Sequence, residues 1–163
     1  VYEYKSRVEL FGLPLVHIKS AGNSGRLAIA KGIIAIGDVA VGAVAIGGFA
    51  LGGISLGGIS VGLLLALGGM SLGGFALGGL AVGYMALGGL AVGINAIGGA
   101  AIARDIAMGG YAQGAVAIGD EAGGKAVFSM YNVTKQSFRA AVNTYVPNAW
   151  AFVVGVFERV LGF

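Results

Sequence analysis

From Leu27 to Asp120 the chain repeats every five residues, and that period restricts what it can fold into. In its best-formed part it reads Phe49-Ala50-Leu51-Gly52-Gly53, Ile54-Ser55-Leu56-Gly57-Gly58, Ile59-Ser60-Val61-Gly62-Leu63. Each unit is apolar, small, apolar, glycine, and usually a second glycine. The fourth position runs by fives from Gly32 to Gly62, skips one residue, and resumes from Gly68 to Gly98. After a second single insertion past Ala103 it continues as Gly109, Gly114 and Gly119. The second position is Ala or Ser in every unit from Ala35 to Ala101. Such regularity places each pentad in an equivalent environment.

A bundle of transmembrane helices fits the hydropathy, because no charged residue or histidine occurs from Val39 to Ala103. The period opposes it. Five residues advance a helix by ~500°, so the glycines would spiral around every face and mark no packing seam. A β-solenoid suits the period. Each pentad supplies a short extended segment and a glycine corner, where glycine reaches backbone angles other residues avoid. A small residue at every fourth position also indicates a crowded backbone there. Stacked coils pair their strands ~4.8 Å apart and satisfy backbone groups from coil to coil.

On this period, with a small residue in each unit over residues 27–125, the chain resembles the pentapeptide-repeat proteins. The resemblance implies an all-β repeat: a right-handed quadrilateral β-solenoid with four pentads per coil and about five coils. The outward Asp, Asn, Arg and Thr common in that family are nearly missing here, so its acidic DNA-mimic role is unsupported. The opening Tyr2-Glu3-Tyr4-Lys5-Ser6 and Phe11-Gly12-Leu13-Pro14-Leu15-Val16-His17, followed by this repeat, also resemble bacterial proteins that bring no function with them.

Residues 1–26 read as an N-terminal β cap and loop. Tyr2, Tyr4, Val8 and Leu10 alternate with Glu3, Lys5, Arg7 and Glu9, the period of a half-buried strand. Gly12 and Pro14 predict a bend, Leu15 to Ile18 a second strand, and Ser20 to Gly25 a loop. Residues 126–163 read as two amphipathic helices. Val127, Met130, Tyr131, Phe138, Val142 and Tyr145 lie at helical spacing up to Pro147; a second helix follows over Ala149 to Leu161, capped by Asn148. Lys135, Arg139, Trp150 and Phe152 are candidates for a membrane-surface helix.

The charge pattern bears on partners. Only 10% of residues are charged, the net charge is +3, and the charges gather at the two ends of the chain. That balance suits a weak preference for anionic surfaces better than nucleic acid. The chain has no cysteine, which excludes disulfides and thiolate metal sites. Nothing in the sequence reads as a signal peptide. His17 stands without a nearby partner for metal binding or base catalysis and reads as structural. Asp38, Arg104, Asp105 and Asp120 read as solvated corners or a salt bridge at the coil ends. Ser55, Ser60 and Ser71 are repeat substitutions rather than nucleophiles. Asn132-Val133-Thr134 matches a glycosylation sequon but falls on a predicted helix. No cofactor, metal or small-molecule substrate is expected, and no enzymatic activity.

The functional inference rests on where the apolar residues go. If the first residue of each pentad points inward, the third points outward, exposing Leu51, Leu56, Val61, Leu72, Leu77, Val82, Leu87 and Val92. If both point inward, the outer face is Ala, Ser and Gly. Either way the middle coils offer water almost no polar side chain, and soluble monomers rarely expose large apolar patches. The sequence therefore predicts a membrane-associated or membrane-embedded, self-associating solenoid, with the bilayer and copies of itself as partners. The alternative is a soluble homo-oligomer or filament, cytoplasmic or extracellular. Five coils at ~4.8 Å rise give ~24 Å, short of the ~30 Å hydrocarbon core, and this counts against full embedding.

Overall fold

A computed structural model describes residues 2–10, 12–20 and 27–163. Phe11 and the loop expected over residues 21–25 lie outside the described residues. The chain divides into two compact units, Val1–Leu80 and Ala81–Phe163, and stacked β coils make up most of both.

In the first unit, β1 (Tyr2–Lys5) pairs antiparallel with β4 (Val16–Ser20), Tyr2 opposite Ser20 and Lys5 opposite His17. Two short strands, β2 (Glu9–Leu10) and β3 (Leu13–Pro14), form a hairpin closed at Gly12, whose φ of 76° requires glycine. The strand expected at the start is present, but it is not half-buried: Tyr2 and Tyr4 are exposed along with Glu3 and Lys5. It is held to β4 by backbone pairing and by the contact between Glu3 and His17, and its two tyrosines are exposed. β4 then lies parallel to the start of the long β6 (Ile34–Gln113), and β5 (Ile29–Lys31) pairs with β6 from Ile29 opposite Val39 to Lys31 opposite Val41.

The register sets the coil. Ile29 faces Val39, and in the second unit Ile106 faces Val116 of β7 (Val116–Gly123), which faces Ala126 of β8 (Ala126–Phe128). One turn is therefore ten residues, two pentads rather than four. The fold has about ten turns in place of the expected five, and each turn has two sides rather than four. The interior explains the difference. The second residue of every pentad points in, and that residue is Ala or Ser. Ala30, Ala35, Ala40, Ala45 and Ala50 form one buried cluster. Two rows of methyl groups fill a narrow slot; a four-sided coil encloses more space and would need large inward residues to fill it.

Most fourth-position glycines lie against the carbonyl oxygen one turn earlier; Gly62, at the first insertion, lies against that of Leu65. A Cβ at Gly42 would overlap the oxygen of Gly32, at Gly52 that of Gly42, and at Gly98 that of Gly88. Crowding, not unusual dihedral angles, requires them. Among the described residues only Gly12 and Gly162 have positive φ. The two insertions stretch single turns to eleven residues: Gly68 sits over Gly57, and Gly109 over Gly98. The first pushes out Leu63 and Leu64, exposed by 81% and 64%.

After Phe128 the ladder ends. Val127, expected on a helix, lies on β8, because Ala126–Phe128 continues the ten-residue register of Val116–Ile118. Met130 and Tyr131 lie in a turn. Helix α1 (Lys135–Tyr145) starts at Thr134, whose hydroxyl accepts from Ser137 N–H while the Ser137 hydroxyl accepts from Thr134 N–H. This reciprocal cap fixes the start seven residues past the strand. Helix α2 (Ala151–Val160) begins after Trp150, with no side-chain cap; Asn148 lies outside it. Asn132, expected on a helix, is exposed in the turn before α1.

Candidate functional site: the outward apolar rows

Extended backbone alternates its side chains, so a small residue pointing inward sends both flanking apolar residues outward. First and third positions face out together. Ten or eleven residues apart, they align in columns. In the first unit Val41, Leu51, Val61 and Leu72 form one column on one side of the coil, and Ile46, Leu56, Leu67 and Leu77 one on the other. Of the residues expected at the surface, Leu51, Val61, Leu72, Leu77 and Val82 are exposed; Leu56, Leu87 and Val92 are half-buried by column neighbours. The first-position residues Phe49, Ile54, Ile59, Met70 and Leu90 are exposed as well. The signal for them was the small second position, which leaves large neighbours no way in.

The second unit has one side of its coil covered. Ile106, Met108, Val116 and Ile118 are buried under Phe138 and Val142 of α1 and Val153 and Phe157 of α2. The two phenylalanine rings lie 6.5 Å apart. Trp150 packs against Tyr84 with ring centres 5.5 Å apart and planes tilted by 46°. On the other side of this unit, Leu90, Ile102 and Tyr111 stay exposed. Lys135 and Arg139, expected to mark a membrane surface, both turn to Glu158. Arg139 donates from Nε and from Nη2, the latter at 2.9 Å, and Lys135 Nζ stands 3.7 Å away. Trp150 and Phe152 are exposed.

The Arg139 hydrogen bonds, then its charge and that of Lys135, hold the Glu158 carboxyl below the usual carboxylate range. In the unfolded chain Glu158 protonates first as pH falls; in the folded chain it stays ionised longer. The pairing therefore contributes fully above the usual range, near 4.5, and is lost as pH falls through the lower folded value. Unfolding midpoints measured from pH 7 to pH 3 should decline, and the decline should be shallower in Glu158→Gln.

The N-terminal end carries the other polar cluster. His17 is buried, its Nδ1 2.9 Å from the Lys31 backbone N–H and its Nε2 3.2 Å from Glu3 Oε1. The ring thus accepts from the first solenoid strand and donates to β1, tying cap to coil. A hydrogen bond from Lys5, helped by the charge of Lys19, holds the Glu3 carboxyl low. Asp38 accepts from the Ala28 N–H at 3.2 Å. Arg104 and Asp105 pair at 3.8 Å, with Arg104 largely in the open, and Asp120 is exposed. Among the described residues no group of three His, Asp or Glu is placed to hold a metal.

The inward serines are structural. Ser55 and Ser60 reach Leu65 O and Met70 O at 3.5 Å, beside the first insertion. Ser71 Oγ is buried without a partner. Ser71→Ala, which installs the residue most pentads have, should raise stability by about 1 kcal/mol in thermal or chemical unfolding.

Among the described residues no helix is long and apolar enough to cross a membrane. Comparison with family models, curated proteins and solved structures finds no match. The likeness to pentapeptide-repeat proteins is thus one of period and stacked coils.

Proposed function

We propose that this chain is a non-enzymatic, membrane-embedded β-solenoid whose outward apolar rows face lipid and copies of itself. The observation that carries the reading is the inversion of the coil: alanines inside, leucines, isoleucines and valines outside, over a run without a charge from Val39 to Ala103. A parallel ladder pairs backbone groups from turn to turn, the condition lipid imposes. Right-handed winding, the hand parallel crossovers take, belongs to the same proposal.

A second reading has its own support. The chain covers one side of its second unit with its own helices, so protein is an adequate cover for these rows. A soluble homo-oligomer or filament, cytoplasmic or extracellular, would bury the remaining sides in the same manner. Flotation with vesicles and extraction with carbonate separate the two. The membrane reading expects the full chain to float and to resist carbonate. Detergent-free oligomers that stay at the bottom of the gradient would favour the second reading, and a detergent-free monomer would contradict both.

A further inference from the structure

Helix α2 is apolar on two sides. Val153 and Phe157 pack inward, while Phe152 and Val160 are exposed outward by 62% and 56%, with Trp150 exposed at the start of the helix. A groove of about 300 Å³ runs along this outer side, lined by Phe152, Gly155, Val156, Arg159 and Val160. Its floor is Gly155. A Cβ there would meet nothing within 4 Å, and the residue has no positive φ. A mid-helix glycine weakens a helix. Neither packing nor backbone geometry inside the chain accounts for this one, and what it provides is the notch itself.

Charge selects the occupant. The two helices hold Lys135, Arg139 and Arg159 against Glu158 alone, a surplus of two positive charges. Glu158 is engaged by Arg139 and Lys135, so Arg159 at the rim of the groove is left to face outward. A second copy of α2 would bring the same surplus into a shared apolar seam, where like charges repel. An anionic phospholipid brings the opposite charge with an apolar chain. We propose that the outer groove of α2 seats one anionic phospholipid, its phosphate against Arg159 and its acyl chain running over Gly155 toward Trp150 at the other end of the helix. The proposal rests on the membrane reading above and names a lipid class for it.

Trp150 is the only tryptophan and stands at the start of the helix that carries the groove, so its fluorescence reports lipid beside α2. The full chain is reconstituted in phosphatidylcholine vesicles containing phosphatidylglycerol, with bromine carried by one lipid or the other at equal mole fraction. The proposal expects stronger quenching by brominated phosphatidylglycerol. Arg159→Gln should lower that preference about fivefold. Gly155→Leu puts a side chain into the notch at a position where a Cβ meets nothing within 4 Å, so it should fold and should also abolish the preference. Equal quenching by both lipids in the parent chain overturns the proposal, as does a preference that survives both substitutions. Floating protein whose Trp150 is not quenched overturns it too, while leaving the membrane reading in place. Protein that fails to float overturns both.

Discussion

Gly52→Ala should destabilise the protein by at least ~3 kcal/mol, measured as the shift in its unfolding midpoint. The added Cβ would overlap the carbonyl oxygen of Gly42, which is itself held in the ladder. A flexible side chain could swing aside; a backbone oxygen cannot without opening the turn. Substitutions with so large a cost come from a short set of mechanisms, and an unrelieved backbone clash is one of them. Two other glycines serve as controls. At Gly58 a Cβ would stand 3.2 Å from Gly48 O, so Gly58→Ala asks for a shift of a few tenths of an ångström and should cost far less. At Gly155 it meets nothing, and Gly155→Ala should gain about 0.5–1 kcal/mol from helix propensity. The order of the three, rather than any one value, distinguishes close approach from a loss of backbone freedom.

Ala40→Leu is the second large effect, expected to cost about 3 kcal/mol or more. Ala40 is fully buried among Ala30, Ala35, Ala45 and Ala50. Even in ordinary cores added methylenes cost roughly 1–3 kcal/mol, because neighbours must leave their rotamers. Here the neighbours are alanines, which have no rotamers to change, and paired backbone. The same substitution one residue along, Val41→Leu, enlarges an outward side chain and should be nearly neutral. If Ala40→Leu were tolerated and Val41→Leu were not, the inside and outside of the coil would have been assigned the wrong way round.

The pentad frame could be read from the sequence because every unit repeats it. So could the β-solenoid, since a five-residue period gives a helix no seam. The number of pentads per turn could not be read, because a period of five fits a turn of ten as well as one of twenty. Interior volume decides it, and the deciding fact is the invariably small second residue from Ala35 to Ala101. Crowding at the fourth-position glycines is legible in the sequence; the unusual backbone angles expected of glycine corners are not found at them. At the C-terminus Val127 and Phe138 fit one helical stripe on paper, yet the ladder takes Val127 and the Thr134–Ser137 cap starts the helix afterwards. The spacing of Lys135 and Arg139 suggests a surface helix; Glu158, nineteen residues beyond Arg139, recruits both. Arg159 and the notch at Gly155 gave no sequence signal, since their meaning depends on which side of α2 packs inward.

The absence of cysteine allows the most direct test, because a single introduced thiol can carry a spin label at any chosen position. Labels at Leu51, Leu72 and Leu90, compared with Tyr131 in the exposed turn before α1, would be exposed in turn to oxygen, which concentrates in lipid, and to a water-soluble nickel complex. Outward rows embedded in lipid predict collisions with oxygen and few with nickel at the three leucine positions, and frequent nickel collisions at Tyr131. Frequent nickel collisions at Leu51, Leu72 and Leu90 in reconstituted vesicles would contradict the account.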